Sequence, residues 1–171
     1  MKRISALLLA LTMALALTAC GDGSADTTPT PNAPDRDMFT FVYKDCALPM
    51  NAEFAPLLAI IGEPDTYFEA ASCAFEGLDK FYTYGGIELT TYPNGDKDYI
   101  SSIRLLDNTA STPEGITIGS TQAEVVAAYG DGYEDSGDLY TWENDNALLS
   151  ILFDNGVAIS VEYIAINDLL A

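Results

Sequence analysis

The chain has 171 residues, 7 Lys+Arg against 26 Asp+Glu and no His, a formal net charge of −19. A field of that sign repels nucleic acid and anionic lipid, and leaves basic partners and cations as the charged species it attracts. Without His there is no Ser-His-Asp or Cys-His catalytic arrangement, and the length suits one ordinary domain.

Lys2 and Arg3 open the chain, and Ile4–Ala19 is uncharged and rich in Leu and Ala. That run is short for a membrane span, which takes about 20 apolar residues. It reads instead as a secretory signal peptide over residues 1–19. The run ends in Leu17-Thr18-Ala19-Cys20, which resembles the lipobox of bacterial lipoproteins. The resemblance implies that the Cys20 sulfur receives a diacylglycerol, that cleavage follows, and that Cys20 becomes the first residue. Two acyl chains hold a protein stably on a bilayer where one holds it only marginally. The expected location is therefore extracytoplasmic, lipid-anchored to the cell membrane or outer membrane of a bacterium.

Residues 20–37 are rich in Thr, Pro, Gly and Asp and cannot bury a core. They read as a flexible tether spanning roughly 20–25 Å. With Lys2 and Arg3 removed, 5 Lys+Arg stand against 26 Asp+Glu, a net charge of −21. A single domain is expected over 38–171. Cys46 and Cys73 remain as a pair, and outside the cytoplasm a disulfide is their expected state. It would contribute roughly 3–4 kcal/mol in the chain-entropy model; two unpaired buried thiols are the alternative.

The first half, 38–108, starts with a short strand in "MFTFVY". A helix follows from about Glu53 to Ile61, stopped by Gly62 with Pro64 beyond, and Pro56 is tolerable only in its first turn. An extra segment, about Glu63 to Asp79, holds another strand and Cys73. Strands at Lys80–Tyr84, Gly86–Tyr92 and Tyr99–Leu106 complete the half.

The second half, 109–171, repeats this order. "GITIG" is its first strand. Thr121-Gln122-Ala123-Glu124 is a capping box, with Val125, Val126 and Tyr129 as the apolar face of a helix that Gly130 ends. "DLYTWEN" echoes "KFYTYGG", "ILFDNG" echoes "TTYPNG", and "VAISVEY" echoes "YISSIRL". Asp154-Asn155-Gly156 between two β-rich runs is a hairpin signal. Val157, Ile159, Val161 and Tyr163 alternate with Ala158, Ser160 and Glu162, as in a strand with one buried face.

Two β-α-β-β-β units of this size each leave a sheet face uncovered. Joining them into one mainly antiparallel sheet, with both short helices on one face, buries it. The fold class is therefore α+β. The arrangement, resting on "GITIGSTQAEVVAAYGD" and the hairpins after it, resembles the tandem-repeat fold of the secreted β-lactamase inhibitor proteins over about Phe39–Ile166. Each unit also resembles the small outer-membrane assembly lipoproteins. The inhibitor family carries a disulfide in each half, whereas here only the first half has the cysteines for one. No inhibitory contact residue carries over.

Tyr82, Tyr84, Tyr140 and Trp142 occupy equivalent strand positions, each pair on one face. If the helices cover the other face, these rings line an open surface suited to a protein partner; packing between strands or under the extra segment is the alternative. The acidic stretch Asp131, Glu134, Asp135, Asp138, Glu143 and Asp145 lacks the EF-hand pattern and reads as solvated loops. No metal, cofactor or catalytic residue is expected. The expected function is a non-catalytic module binding an envelope or secreted protein. A solute- or cation-binding lipoprotein using the acidic loops is the alternative, and an envelope hydrolase using carboxylates the least favoured.

Overall fold

The computed structural model describes residues 37–167, which open with a hairpin. Strand β1 (Thr40–Tyr43) pairs antiparallel with β2 (Cys46–Pro49) across Lys44-Asp45. Both turn residues have positive φ, +50° and +61°, as a two-residue turn requires if it is to match the twist of its strands. Helix α1 (Phe54–Ile61) follows, with Pro56 in its first turn. It ends where the Gly62 N–H donates to Leu58 O at 2.9 Å.

A four-stranded meander comes next: β3 (Thr66–Ala71), β4 (Leu78–Tyr84), β5 (Ile87–Asn94) and β6 (Lys97–Leu105). Helix α2 (Gln122–Tyr129) then leads to β7 (Glu134–Asp135), β8 (Leu139–Glu143), β9 (Ala147–Asp154) and β10 (Val157–Ala165). The capping box forms as expected. The Thr121 hydroxyl accepts from the Glu124 N–H at 3.3 Å, and the Glu124 carboxylate accepts from the Thr121 N–H at 2.8 Å.

The two meanders join through β6 and β10 into one eight-stranded sheet of order β3-β4-β5-β6-β10-β9-β8-β7. At the join Arg104 stands opposite Glu162, and Ile103 opposite Tyr163. Every pairing is antiparallel. The hairpin and both helices lie on the same side of this sheet. Phe41 of β1 meets Tyr163 edge-on at 5.6 Å, Phe54 of α1 meets Tyr82 at 4.8 Å, and Tyr129 of α2 meets Trp142 at 5.5 Å. On β9 the alternation is plain: Ala147, Leu149, Ile151 and Phe153 are buried beneath this layer, while Leu148, Ser150 and Leu152 face away. The protein is thus α+β, a mainly antiparallel sheet with two helices on one face and water on the other.

Two expectations need correction. "GITIG" is not a strand. Gly115 and Gly119 take φ of +87° and +96°, outside the range of an extended strand. Ile116 is buried within a turn, its carbonyl accepting from the Thr112 N–H at 2.7 Å. Each half is therefore not β-α-β-β-β; each helix is followed by four strands, since β3 and β7 extend the sheet. The expected Cys46–Cys73 disulfide is absent, and both residues are free thiols. Cys46 turns into the core from the hairpin, 8% exposed, whereas Cys73 sits in the exposed stretch after edge strand β3. The chain carries the two sulfurs to different layers.

Candidate functional site

The four aromatic residues expected on the open face are on the covered one. Tyr82, Tyr84 and Trp142 are 7%, 1% and 3% exposed. Tyr82 lies under Phe54 of α1. The Tyr84 hydroxyl donates to Gly62 O at the end of α1, 3.0 Å away, and its ring packs on Tyr43 of the hairpin. Trp142 packs against Tyr129 of α2 and donates its Nε1–H to Gly130 O at 3.3 Å. Tyr140 is half-buried, stacked on Tyr133 with ring centres 4.0 Å apart. Each pair does share a face, but the helices choose that face, so these rings are core.

Cys20 lies outside the described residues. Asp131, Glu134, Asp135, Asp138, Glu143 and Asp145 are all exposed. Among the described residues no group of three or more Cys, Asp or Glu side chains converges as a metal would require.

The surface that remains for a partner is the open side of the sheet and its β3 edge. Cross-strand register aligns a polar row over all eight strands: Thr66, Thr83, Glu88, Arg104, Glu162, Ser150, Thr141 and Glu134. Arg104 bonds Glu88 at 2.8 Å within it. Burial pushes the Glu162 carboxyl above its ordinary range, with Arg104 opposing. The neighbouring row starts apolar at the β3 edge, with Phe68 against Phe81, and runs through Ile164 and Leu148 to the Glu143 carboxylate on β8.

The two ends of the sheet differ. β7 is two acidic residues long, Glu134 and Asp135. β3 has six residues, and its Tyr67 and Phe68 are 50% and 63% exposed. Tyr67 leans on Tyr82 on the helix side, its hydroxyl bonded to the Glu69 carboxylate, and that bond together with burial pushes the phenol well above its ordinary pKa. Phe68 leans on Phe81 on the open side, ring centres 5.8 Å apart. Sequence reasoning placed a strand in this segment without marking these rings. The available signal was the adjacent ring pair Tyr67-Phe68, which a strand must send to opposite faces.

The electrostatics of this surface are one-signed. The described residues hold four cations, Lys44, Lys80, Lys97 and Arg104. Lys80 pairs with Asp98 and Lys97 with Glu53, both at 2.6 Å, and Arg104 pairs with Glu88. Lys44 donates to Ile61 O at 2.9 Å, beyond the end of the hairpin. Each of these four cations therefore has a partner within the domain, while most of the described carboxylates form no ion pair.

No protein-family model matches the chain, and no curated protein matches it in sequence. Among solved structures, an extracellular protein containing an SCP domain from Bacillus anthracis is similar with a TM-score of 0.48 and 13% identity. The match covers 70% of this chain and 44% of that one. No helix among the described residues is long and apolar enough to cross a membrane.

Proposed function

We propose that the protein is an extracytoplasmic, lipid-anchored, non-catalytic module that binds another envelope or secreted protein through strand β3 and the adjoining open sheet face. Cys20 is the point of lipid attachment, and residues 20–37 are the tether to the domain at 38–171. The observation that carries the docking role is the inequality of the two sheet edges. Folded proteins blunt exposed edges with short strands and charge. The β7 edge is short and acidic, whereas β3 is long and displays Tyr67 and Phe68.

The domain is built from two copies of a helix-plus-meander unit, as the tandem resemblance implies. Several equivalences support this. Each N-cap residue bridges the last strand of its own half, Glu53 to Tyr99 and Thr121 to Val157. Each helix ends at a glycine whose N–H bonds the carbonyl four residues back, Gly62 to Leu58 and Gly130 to Val126.

In-cell crosslinking of the tagged lipoprotein with mass spectrometry tests the reading, beside a Tyr67→Ser/Phe68→Ser variant and a Cys20→Ser variant. The expected result is one dominant partner, lost in the double variant, and release of the Cys20→Ser protein from the membrane fraction. A partner retained by the double variant would refute the β3 site. Membrane retention without Cys20 would refute the anchor.

A further inference from the structure

The chemistry of the partner can be taken a step further, on the footing that β3 is the docking edge. β3 is hydrogen-bonded to β4 alone. Among the described residues no backbone bond reaches its other side. The Ser72 N–H donates inward to Gly77 O, one step past the Ala71–Leu78 pair. Backbone groups alternate sides along an antiparallel strand. Those of Tyr67, Glu69 and Ala71 therefore point outward, where a further strand would pair with them.

Side chains alternate with the same period. Tyr67 and Glu69 stand on the helix side, and Thr66, Phe68 and Ala70 on the open side, as the Tyr67–Tyr82 and Phe68–Phe81 contacts require. An added strand places its own side chains directly beside these two rows. One row of the newcomer meets Tyr67 and the Glu69 carboxylate, and the other meets the exposed Phe68.

Charge then selects the newcomer. Between Lys44 and Lys80 the chain has no Lys or Arg, while Glu63, Asp65, Glu69, Glu76 and Asp79 all lie in or beside β3. Lys80, the nearest cation, is held by Asp98 at 2.6 Å. A second copy of this chain would bring the same carboxylates against themselves, and like charges directly opposite destabilise a strand pair.

We infer that β3 accepts an extended segment of the partner as a ninth strand, one that alternates apolar residues with Lys or Arg. Its apolar side chains cover Phe68 and Phe81, and its cations stand beside Glu69. Backbone bonding supplies attachment and the alternating side chains supply selection, the logic of strand addition at a sheet edge.

The test titrates the full chain with two short fluorescent peptides, one alternating Lys with Val and the other Glu with Val, read by anisotropy at physiological salt. The Lys peptide is expected to bind about tenfold or more tightly than the Glu peptide. Ala71→Pro, which removes an outward N–H and leaves the pairing to β4, is expected to weaken it by about tenfold. Glu69→Lys is expected to narrow or invert the preference. Phe68→Ser serves as a second edge variant should the proline unfold the domain, and a thermal melt accompanies each.

Lys-peptide binding that survives both Ala71→Pro and Phe68→Ser belongs to the diffuse acidic surface and overturns the inference. So does an absence of binding by either peptide. Equal binding of the two peptides, both lost in the edge variants, overturns the basic partner while leaving the docking role of β3 standing. A dimer of the unmodified chain that Ala71→Pro dissolves, seen by sedimentation, puts a second copy at the edge and overturns it as well.

Discussion

Trp142→Ala discriminates between a covered and an open position for the aromatic strand residues. Trp142 is 3% exposed and its ring touches those of Tyr129 and Tyr133, with centres 5.5 and 5.1 Å away. Truncating a buried Trp to Ala costs about 3–5 kcal/mol through lost transfer energy and the cavity left behind. Its hydrogen bond to Gly130 O adds little, because Gly130 is exposed and water replaces the donor. The expected loss is therefore about 3–5 kcal/mol, a fifth or more of the stability of an ordinary domain. For a domain of this size it corresponds to a fall in melting temperature of about 10–20 °C. Trp142 is the chain's one tryptophan, so urea unfolding is followed by far-ultraviolet circular dichroism and not by fluorescence. Phe68→Ala, at a position 63% exposed, is the control and is expected to change stability by less than about 0.5 kcal/mol. A Trp142→Ala loss below about 1 kcal/mol would refute the placement of this ring between sheet and α2.

Thr121→Ala removes the capping box and is expected to cost about 1 kcal/mol in urea unfolding at neutral pH. The Glu124 carboxyl is held below its ordinary value by the Thr121 N–H and hydroxyl. Its contribution is present above the unfolded pKa and lost as pH falls through the folded one. A Glu124→Gln deficit seen at neutral pH is thus expected to vanish in acid, and a deficit independent of pH would contradict it. Burial raises Tyr84 to about 12 and pushes Tyr129 and Tyr163 upward too. Raised phenol pKa values stabilise the fold below the unfolded value near 10 and withdraw that stability as pH climbs. Ultraviolet titration should show these phenols ionising only as circular dichroism reports unfolding. Iodoacetamide is expected to label exposed Cys73 quickly and buried Cys46 only in denaturant, with no change in melting temperature on adding reductant. A reductant-sensitive melt would restore the disulfide.

Several elements were legible because their signals are local. The Thr121–Glu124 box, the Asp154-Asn155-Gly156 hairpin and the β10 alternation each involve groups within a few residues of one another. The aromatic face was not legible. In "KFYTY" both sides of β4 carry rings, Phe81 on one and Tyr82 and Tyr84 on the other. Period-two alternation groups residues without saying which group is covered. The same degeneracy hid Phe68 and Tyr67 on β3. "GITIG" has strand composition, but its glycines adopt turn geometry because Ile116 must reach the core.

What the sequence determined by itself was the α+β class, the two helices and their caps, most strand positions and the acidic surface, since each follows from short-range pattern or from composition. The tertiary structure alone decided which sheet face is covered, which edge is left long and aromatic, and that Cys46 and Cys73 stay apart. Those outcomes depend on where α1, α2 and the β1–β2 hairpin settle on a distant sheet. Contacts such as Phe54 on Tyr82 or Phe41 on Tyr163 join residues far apart in the chain, and no local periodicity encodes which side of a strand they will claim.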